Sequence, residues 1–217
     1  MTITLPTVPD AVPEPDEDEV EHLFSRGGAE IRVRVRQLPD AADGGHLLIF
    51  GELGDNPLVR LHSRCLYGDA LGSDDCDCGP ELARSMDLMQ AEGGGVLVYL
   101  EQEGRGAGLL WKARGYRECE RHDLDTFTGY DRLGLPPDAR SYAPAAAELA
   151  RLGLTRIRLL TNNPDKLAAV QQAGIAVEVL PLAVPLRTDR GRRYLEAKRT
   201  RRGHMIPGES APWAPAP

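Results

Sequence analysis

The sequence predicts an α+β fold of mixed sheets packed with helices, and three observations carry that expectation. Apolar and charged residues alternate in Ile31-Arg-Val33-Arg-Val35, the mark of a half-exposed strand. Leu82, Met86 and Met89 recur at helical spacing until Gly93-Gly94-Gly95, after which the short apolar run Val96 to Leu100 reads as a buried strand. The last third then alternates strand and helix in the rhythm of a βαβ unit. Composition agrees: 41% of the 217 residues are hydrophobic but only 5% are aromatic. Leu, Val, Ile and Ala therefore carry the core, which favours mixed helices and strands over an aromatic-rich sandwich.

Taken in order, residues 1–22 combine repeated proline with an acidic run that buries too little apolar surface to offset the entropy of ordering, and are expected to form a disordered tail. One folded domain is expected over 25–205. Strands at 31–35, 47–50 and 59–61 make an antiparallel opening. A helix from Pro80, the strand 96–100 and a helix over 108–121 follow, the last with Leu109, Ala113 and Tyr116 on one face. Then come a helix at 143–151, a strand at 157–160, a helix at 164–172 and a strand at 176–180. Residues 206–217 hold four prolines without apolar periodicity and are expected to be a second disordered tail.

Charge and cysteine usage narrow the function. A net charge of −7 argues against broad nucleic-acid binding, which draws its affinity from lysines and arginines neutralising phosphates. The opening residues lack a basic segment followed by an apolar run, and no stretch approaches the roughly 20 apolar residues of a membrane span. A soluble cytoplasmic protein without a membrane partner is expected. In that compartment four cysteines are metal ligands or inert core thiols more often than disulfides.

The sharpest motif is Cys65-x10-Cys76-x-Cys78, three thiols in a segment that also holds Gly68, Gly72 and two adjacent aspartates. Three thiolates without an obvious fourth protein ligand suit a catalytic zinc that keeps one position open for water. The plainer alternative is three core cysteines, since cysteine is among the most buried residues. Cys119, alone in a polar helix, reads as a free thiol. Arg60-Leu61-His62-Ser63-Arg64 sets basic and hydroxyl groups beside the thiols, able to grip phosphate oxygens. Glu103-Gly104-Arg105-Gly106-Ala107-Gly108 leads from a buried strand into a helix, where free N–H groups favour an anion, though its spacing matches neither a dinucleotide fingerprint nor a P-loop. Asp138 and Arg140 stand two residues apart before a helix, the pattern of a helix-initiating aspartate with a surface arginine. Thr161-Asn162-Asn163-Pro164 ends a strand and opens a helix carrying Lys166, a place where ligands gather and where Asn163 can cap with Pro164 at the first helical position.

Together these segments resemble GTP cyclohydrolase II. HSRCLYGDALGSDDCDCG is similar to that family's zinc segment, YLEQEGRGAGLLWKARGY to its phosphate segment and LLTNNPDK to its guanine-side segment, the likeness covering roughly residues 45–205. The resemblance implies zinc on Cys65, Cys76 and Cys78, Mg²⁺ with the triphosphate, and hydrolytic opening of the guanine ring of GTP with loss of formate and pyrophosphate. It gives Arg140 the place of a nucleophile toward the α-phosphorus, Asp138 that of a proton acceptor and Tyr116 that of a tyrosine assisting at the ring. Since a guanidinium stays protonated, a phosphate clamp is the more conservative role for Arg140. Arg60, Glu103, Arg105, Thr126, Thr161 and Lys166 fall on the family's nucleotide-binding positions, with His62, Ser63 and Gly104 beside them. A homodimer is also implied, as is a single activity in a chain without room for the second enzyme that some relatives carry upstream.

The chain departs from the family at Arg64, where glutamate is common, at Glu81, where glutamine is usual, and at Phe127-Thr128-Gly129-Tyr130 in place of Glu-Ala-Asn. These substrate-facing changes raise the alternative of a paralogue that keeps the formyl group or takes another nucleotide. A further alternative is a binding module with a closed zinc site, His62 being the nearest fourth ligand. The basic run from Arg187 to Arg202 could mark a nucleic-acid binder, but acidic residues interrupt it and a solvated helix face accounts for it.

Overall fold

A computed structural model describes residues 19–39 and 41–207. Seven strands form one sheet: β1 (Glu19–Arg26), β2 (Ala29–Gln37), β3 (Gly45–Gly51), β4 (Leu58–Ser63), β5 (Gly94–Leu100), β6 (Arg156–Leu160) and β7 (Ala176–Leu180), in the spatial order β1-β2-β3-β5-β4-β6-β7. The first four in that order pair antiparallel, and β5-β4-β6-β7 run parallel. The antiparallel opening and the closing βαβ unit are as the sequence predicts. They join in a single mixed sheet rather than several, because β5 pairs with β3 on one side and β4 on the other.

Helices cover both faces: α1 (Cys78–Glu92), α2 (Leu109–His122), α3 (Thr126–Arg132), α4 (Ala143–Arg151), α5 (Pro164–Gln172) and α6 (Asp189–Arg202). One core packs Ala145, Ala146 and Leu149 of α4 and Val170 of α5 on Val59, Leu61, Val96, Val98, Ile157 and Leu159. The other packs Met89 of α1 on Leu58, Leu97 and Leu160. Buried between them, β4 has all six residues out of solvent. A polar side chain on that strand therefore needs a partner inside the protein.

Two expectations are revised. The tail expected over 1–22 gives way to strand at Glu19, because the acidic residues that signal disorder meet arginines across the β1–β2 ladder: Glu19 with Arg36 at 2.5 Å and Glu21 with Arg32 at 2.7 Å. The rest of that tail, and the second one from residue 208, lie outside the described residues. On α2 the buried face carries Lys112 and Gly115, whereas Leu109 is turned to solvent. Tyr130 takes the space beside Gly115, where a Cβ would stand 2.6 Å from its ring. Among the described residues no helix is long and apolar enough to cross a membrane.

Candidate functional site

The site gathers at the carboxyl ends of the parallel strands β4, β5 and β6, the usual place for ligands in open sheets of this kind. Cys65 follows β4 and opens a π-helical turn, Leu66–Ala70, with its sulfur accepting from the Gly68 amide at 3.3 Å. A Cβ on Gly68 would stand 3.0 Å from the Cys76 sulfur, and one on Gly79 would collide with the Gly68 carbonyl at 2.2 Å. Glycine at both positions is what lets the two loops close on each other. As a result the sulfurs of Cys65, Cys76 and Cys78 lie within 4.8 Å of one another, Cys65 and Cys76 at 3.7 Å.

Hydrogen bonds from Cys76 and Cys78 hold the Cys65 thiol down to about 3, with burial opposing and the Lys112 ammonium, 3.0 Å from its sulfur, assisting. The same proximity to Cys65 pushes Cys76 and Cys78 up. Three clustered thiols, one already a thiolate beside a fixed cation, fit a soft divalent metal such as zinc. His62 does not join them. Its Nε2 meets Asp69 at 3.0 Å, Asp69 also accepts from Tyr99 and the Cys65 amide, and the buried Nδ1 has no partner. Burial lowers the His62 pKa against the pull of Asp69, so the ring is neutral. Among the described residues the ligand cluster is three cysteines, which leaves the closed four-ligand arrangement without its histidine.

Beyond β5, Glu103 ties the thiol loop to α2. One carboxylate oxygen accepts from Lys112 at 2.8 Å and the other from the Leu66 amide at 2.7 Å. Gly104 and Arg105 follow with φ of 59° and 58°, a left-handed pair that is costly for arginine. The strain turns the Arg105 guanidinium inward, onto the Phe127 ring at 3.6 Å and the Thr126 hydroxyl at 2.8 Å. Tyr130 donates to the Gly104 carbonyl at 3.1 Å. Thr126 sits on α3, a helix the sequence reading lacks, started by the Asp125 carboxylate accepting from the Phe127 and Thr128 amides.

On the other side, Arg60 of β4 donates to Glu81 at 2.5 Å and to the Leu160 carbonyl at 2.9 Å, and Asn162 donates to the second Glu81 oxygen at 2.9 Å. Thr161, at the end of β6, accepts from the Asn163 amide at 3.1 Å, and Asn163 caps α5 above Pro164 as expected. Lys166 is buried with its ammonium on the Leu61 carbonyl at 2.7 Å, and burial, then the charges of Arg60 and Arg140, drive its pKa well below the ordinary lysine value. Asp138 and Arg140 do not start a helix, and Arg140 is no surface residue. They form a two-pronged pair at 2.8 and 2.6 Å, the Arg140 side chain 17% exposed. Burial would raise the Asp138 carboxyl, but the Arg140 hydrogen bonds and charge hold it below the usual range.

Two cavities result. One of about 50 Å³ is lined by Cys65, Cys76, Cys78, Arg105, Tyr116 and Arg140 among others; one of about 60 Å³ by Arg60, His62, Glu81, Thr161, Lys166 and Arg140. Every site residue expected from sequence lines one or the other, except Asp138, which pairs with Arg140. Arg64 reaches only the rim, where it pairs with Glu101 at 2.8 Å and its side chain is 43% exposed. Sequence reasoning missed Gln102, Lys112, Tyr194, Lys198 and His204, which line the same walls. The i, i+4 spacing of Lys112 and Tyr116, and of Tyr194 and Lys198, was the available signal.

The chain's relatives fit this arrangement. The family pattern for GTP cyclohydrolase II matches residues 30–180. GTP cyclohydrolase-2 of Neisseria meningitidis is 46% identical over 187 residues, which cover 85% of this chain and 88% of that protein. GTP cyclohydrolase-2 of Neisseria gonorrhoeae is 46% identical over 154 residues, 70% of this chain and 77% of that one. The riboflavin biosynthesis protein RibBA of Bacillus cytotoxicus is 46% identical over 162 residues, 73% of this chain but 40% of that protein, so the chain spans well under half the length of that relative. With its pattern running from β2 through β7 and including all three clustered cysteines, the chain belongs to the GTP cyclohydrolase II family.

Proposed function

We propose that this chain hydrolyses the imidazole ring of the guanine of GTP, releasing formate and pyrophosphate to leave a 2,5-diamino-6-ribosylamino-pyrimidinone 5′-phosphate, a step of riboflavin synthesis. The observation that carries this reading is the three-thiol cluster within 4.8 Å facing the same narrow space as Tyr116 and Arg140. Zinc held by Cys65, Cys76 and Cys78 would supply a water acidic enough to attack C8 near neutral pH.

The protein's own groups then divide the work. Lys112 and Glu103 hold the Cys65 thiolate in place and balance its charge. Burial pushes the Tyr116 phenol up, so its hydroxyl keeps its proton and can donate a hydrogen bond to the opening ring. Arg105, positioned by Thr126, offers donors to the triphosphate, whose charge Mg²⁺ would help to neutralise. Arg140, kept charged and aimed by Asp138, suits a phosphate clamp near the α-phosphorus. Arg60, Ser63, Thr161 and Lys166 line the guanine side, with His62 behind them.

The departures from the family have partners of their own: Arg64 binds Glu101, Glu81 binds Arg60 and Asn162, and Tyr130 binds the Gly104 carbonyl. None of the three is a free group aimed at a substrate, which favours the ordinary deformylated product. Mass analysis of the product from GTP and Mg²⁺ tests this: formate with a diaminopyrimidine supports the reading, and a ring-opened product that keeps the formyl carbon replaces it with the paralogue that stops before formate is lost.

A further inference from the structure

Helix α6 lies beyond residues 30–180, and none of the roles above uses it. Yet it reaches the site more deeply than a solvated basic helix should. Tyr194 lines both cavities, and Lys198 and His204 line the second. Lys198 donates to Asp77, between Cys76 and Cys78, at 2.6 Å, and its ammonium stands 4.6 Å from the centre of the Tyr194 ring. Arg105 faces the same ring from 5.8 Å. Tyr194 is thus a wall between the thiol side and the Lys166 side.

That wall sets a problem of space. Cavities of about 50 and 60 Å³ hold a few waters, whereas sites for small organic ligands run to about 300–1,000 Å³. A purine nucleoside triphosphate enters only if an element lining both cavities moves. Ser63 and Cys78 belong to β4 and α1, which are built into the cores, and Arg140 is fixed by Asp138. By contrast α6 buries only Gly191 and Ala197. Apart from the Lys198–Asp77 pair, it is held largely by ion pairs at the surface: Arg190 with Glu120 at 3.0 Å, Arg193 with Asp123 at 3.2 Å, Arg201 with Asp125 at 3.0 Å and Arg202 with Asp165 at 2.8 Å. Such pairs are individually weak and screened by salt. Open volumes of about 630 and 910 Å³ flank the helix, so it has room to shift.

Resting on the reading of GTP as substrate, we propose that α6 is a lid that swings out to admit the nucleotide and closes on it, bringing Tyr194 against the bound substrate while Lys198, latched on Asp77, holds the ring in place. Tyr194 is then a substrate-contacting residue and Lys198 a positioning residue.

The test uses the full zinc-loaded chain, with deuterium exchange read by mass spectrometry and steady-state kinetics on GTP. In the free protein the amides of 189–202 exchange faster than those of α4, faster still in about 0.5 M NaCl, and slow down in a short pulse during turnover of excess GTP. Tyr194→Ala raises KM for GTP by about tenfold or more, the equivalent of one stacked base contact, while Tyr194→Phe keeps the native KM. Lys198→Met loses the GTP-dependent protection and Lys198→Arg regains it, each variant compared with its own GTP-free state because Lys198→Met also leaves Asp77 buried without its partner and lowers Tm. If GTP is consumed while α6 exchange does not respond to it and Tyr194→Ala keeps the native KM, the lid is wrong and the cyclohydrolase stands. If the unaltered chain neither binds nor consumes GTP, both fall together.

Discussion

Replacing Arg60 with methionine should destabilise the protein in a way that depends on pH. Arg60 and Glu81 tie the central strand to α1 across 2.5 Å, with side chains 4% and 9% exposed. Arg60→Met retains most of the aliphatic stem and removes the charge, leaving the Glu81 carboxylate buried. Two unit charges about 4 Å apart attract by about 4 kcal/mol at an effective dielectric near 20. Removing one partner of a buried pair costs about 3–5 kcal/mol. The Asn162 amide still donates to Glu81, and the methionine packs in part of the vacated space, so about 3 kcal/mol is expected. At about 2–4 °C per kcal/mol for a domain of this size, Tm falls by about 6–12 °C.

The pH signature follows from Glu81. Burial, then the charge of Asp77, raises its pKa even with Arg60 present, and removing Arg60 raises it further. A carboxyl whose folded pKa exceeds its unfolded value adds stability below the unfolded pKa and loses it as pH rises through the folded one. The loss in Arg60→Met is therefore greater near pH 8 than near pH 5.5. Urea unfolding followed by circular dichroism at the two pH values measures it. The double variant Arg60→Met/Glu81→Leu should recover most of the stability, because an apolar pair can replace a buried ion pair without loss. A single-variant loss below about 1 kcal/mol at the higher pH, or one unchanged when Glu81 is also replaced, refutes the reasoning.

Other consequences are as concrete. Asp125→Ala, which strips the cap from α3, costs about 1 kcal/mol in a thermal or urea melt, and Asp125→Asn recovers most of it. Because burial lowers the His62 pKa, its neutral form adds stability that is complete above the unfolded value near 6.5 and is lost as pH falls through the depressed folded value. Stability should thus fall below about pH 6.5, and His62→Gln should flatten that fall without abolishing it, as read by urea midpoints across the range. Arg64→Ala removes an exposed pair with Glu101, so stability changes by no more than about 0.5 kcal/mol and the product mass stays the same.

The thiol cluster was legible in the sequence because three cysteines separated by glycines and aspartates leave a loop few other tasks. Strand and helix periodicity likewise located most of the sheet and four of the six helices around it. What escaped was whatever depends on a partner distant in sequence. The first strand reads as a polar tail until its glutamates meet the β2 arginines. Lys112 is a charged residue on a polar helix until the Cys65 sulfur and Glu103 enclose it. Tyr194 and Lys198 share one face of α6, but nine charged residues on a helix of 14 hide that face in any average over its length. Asp138 and Arg140 read as a helix start on spacing alone; the family resemblance put them in the site, and in the structure Arg140, paired with Asp138, lines the same cavity as Lys166.

The most direct test of the account is formate release from GTP by the chain after chelator stripping and again after zinc is added back, in Mg²⁺ throughout. The account predicts no formate from the stripped protein, and restored release of formate together with pyrophosphate once the three thiols are reloaded. It also predicts that Cys78→Ser neither retains zinc nor recovers. Formate released equally by the stripped protein, or GTP left intact by the zinc-loaded one, would contradict it.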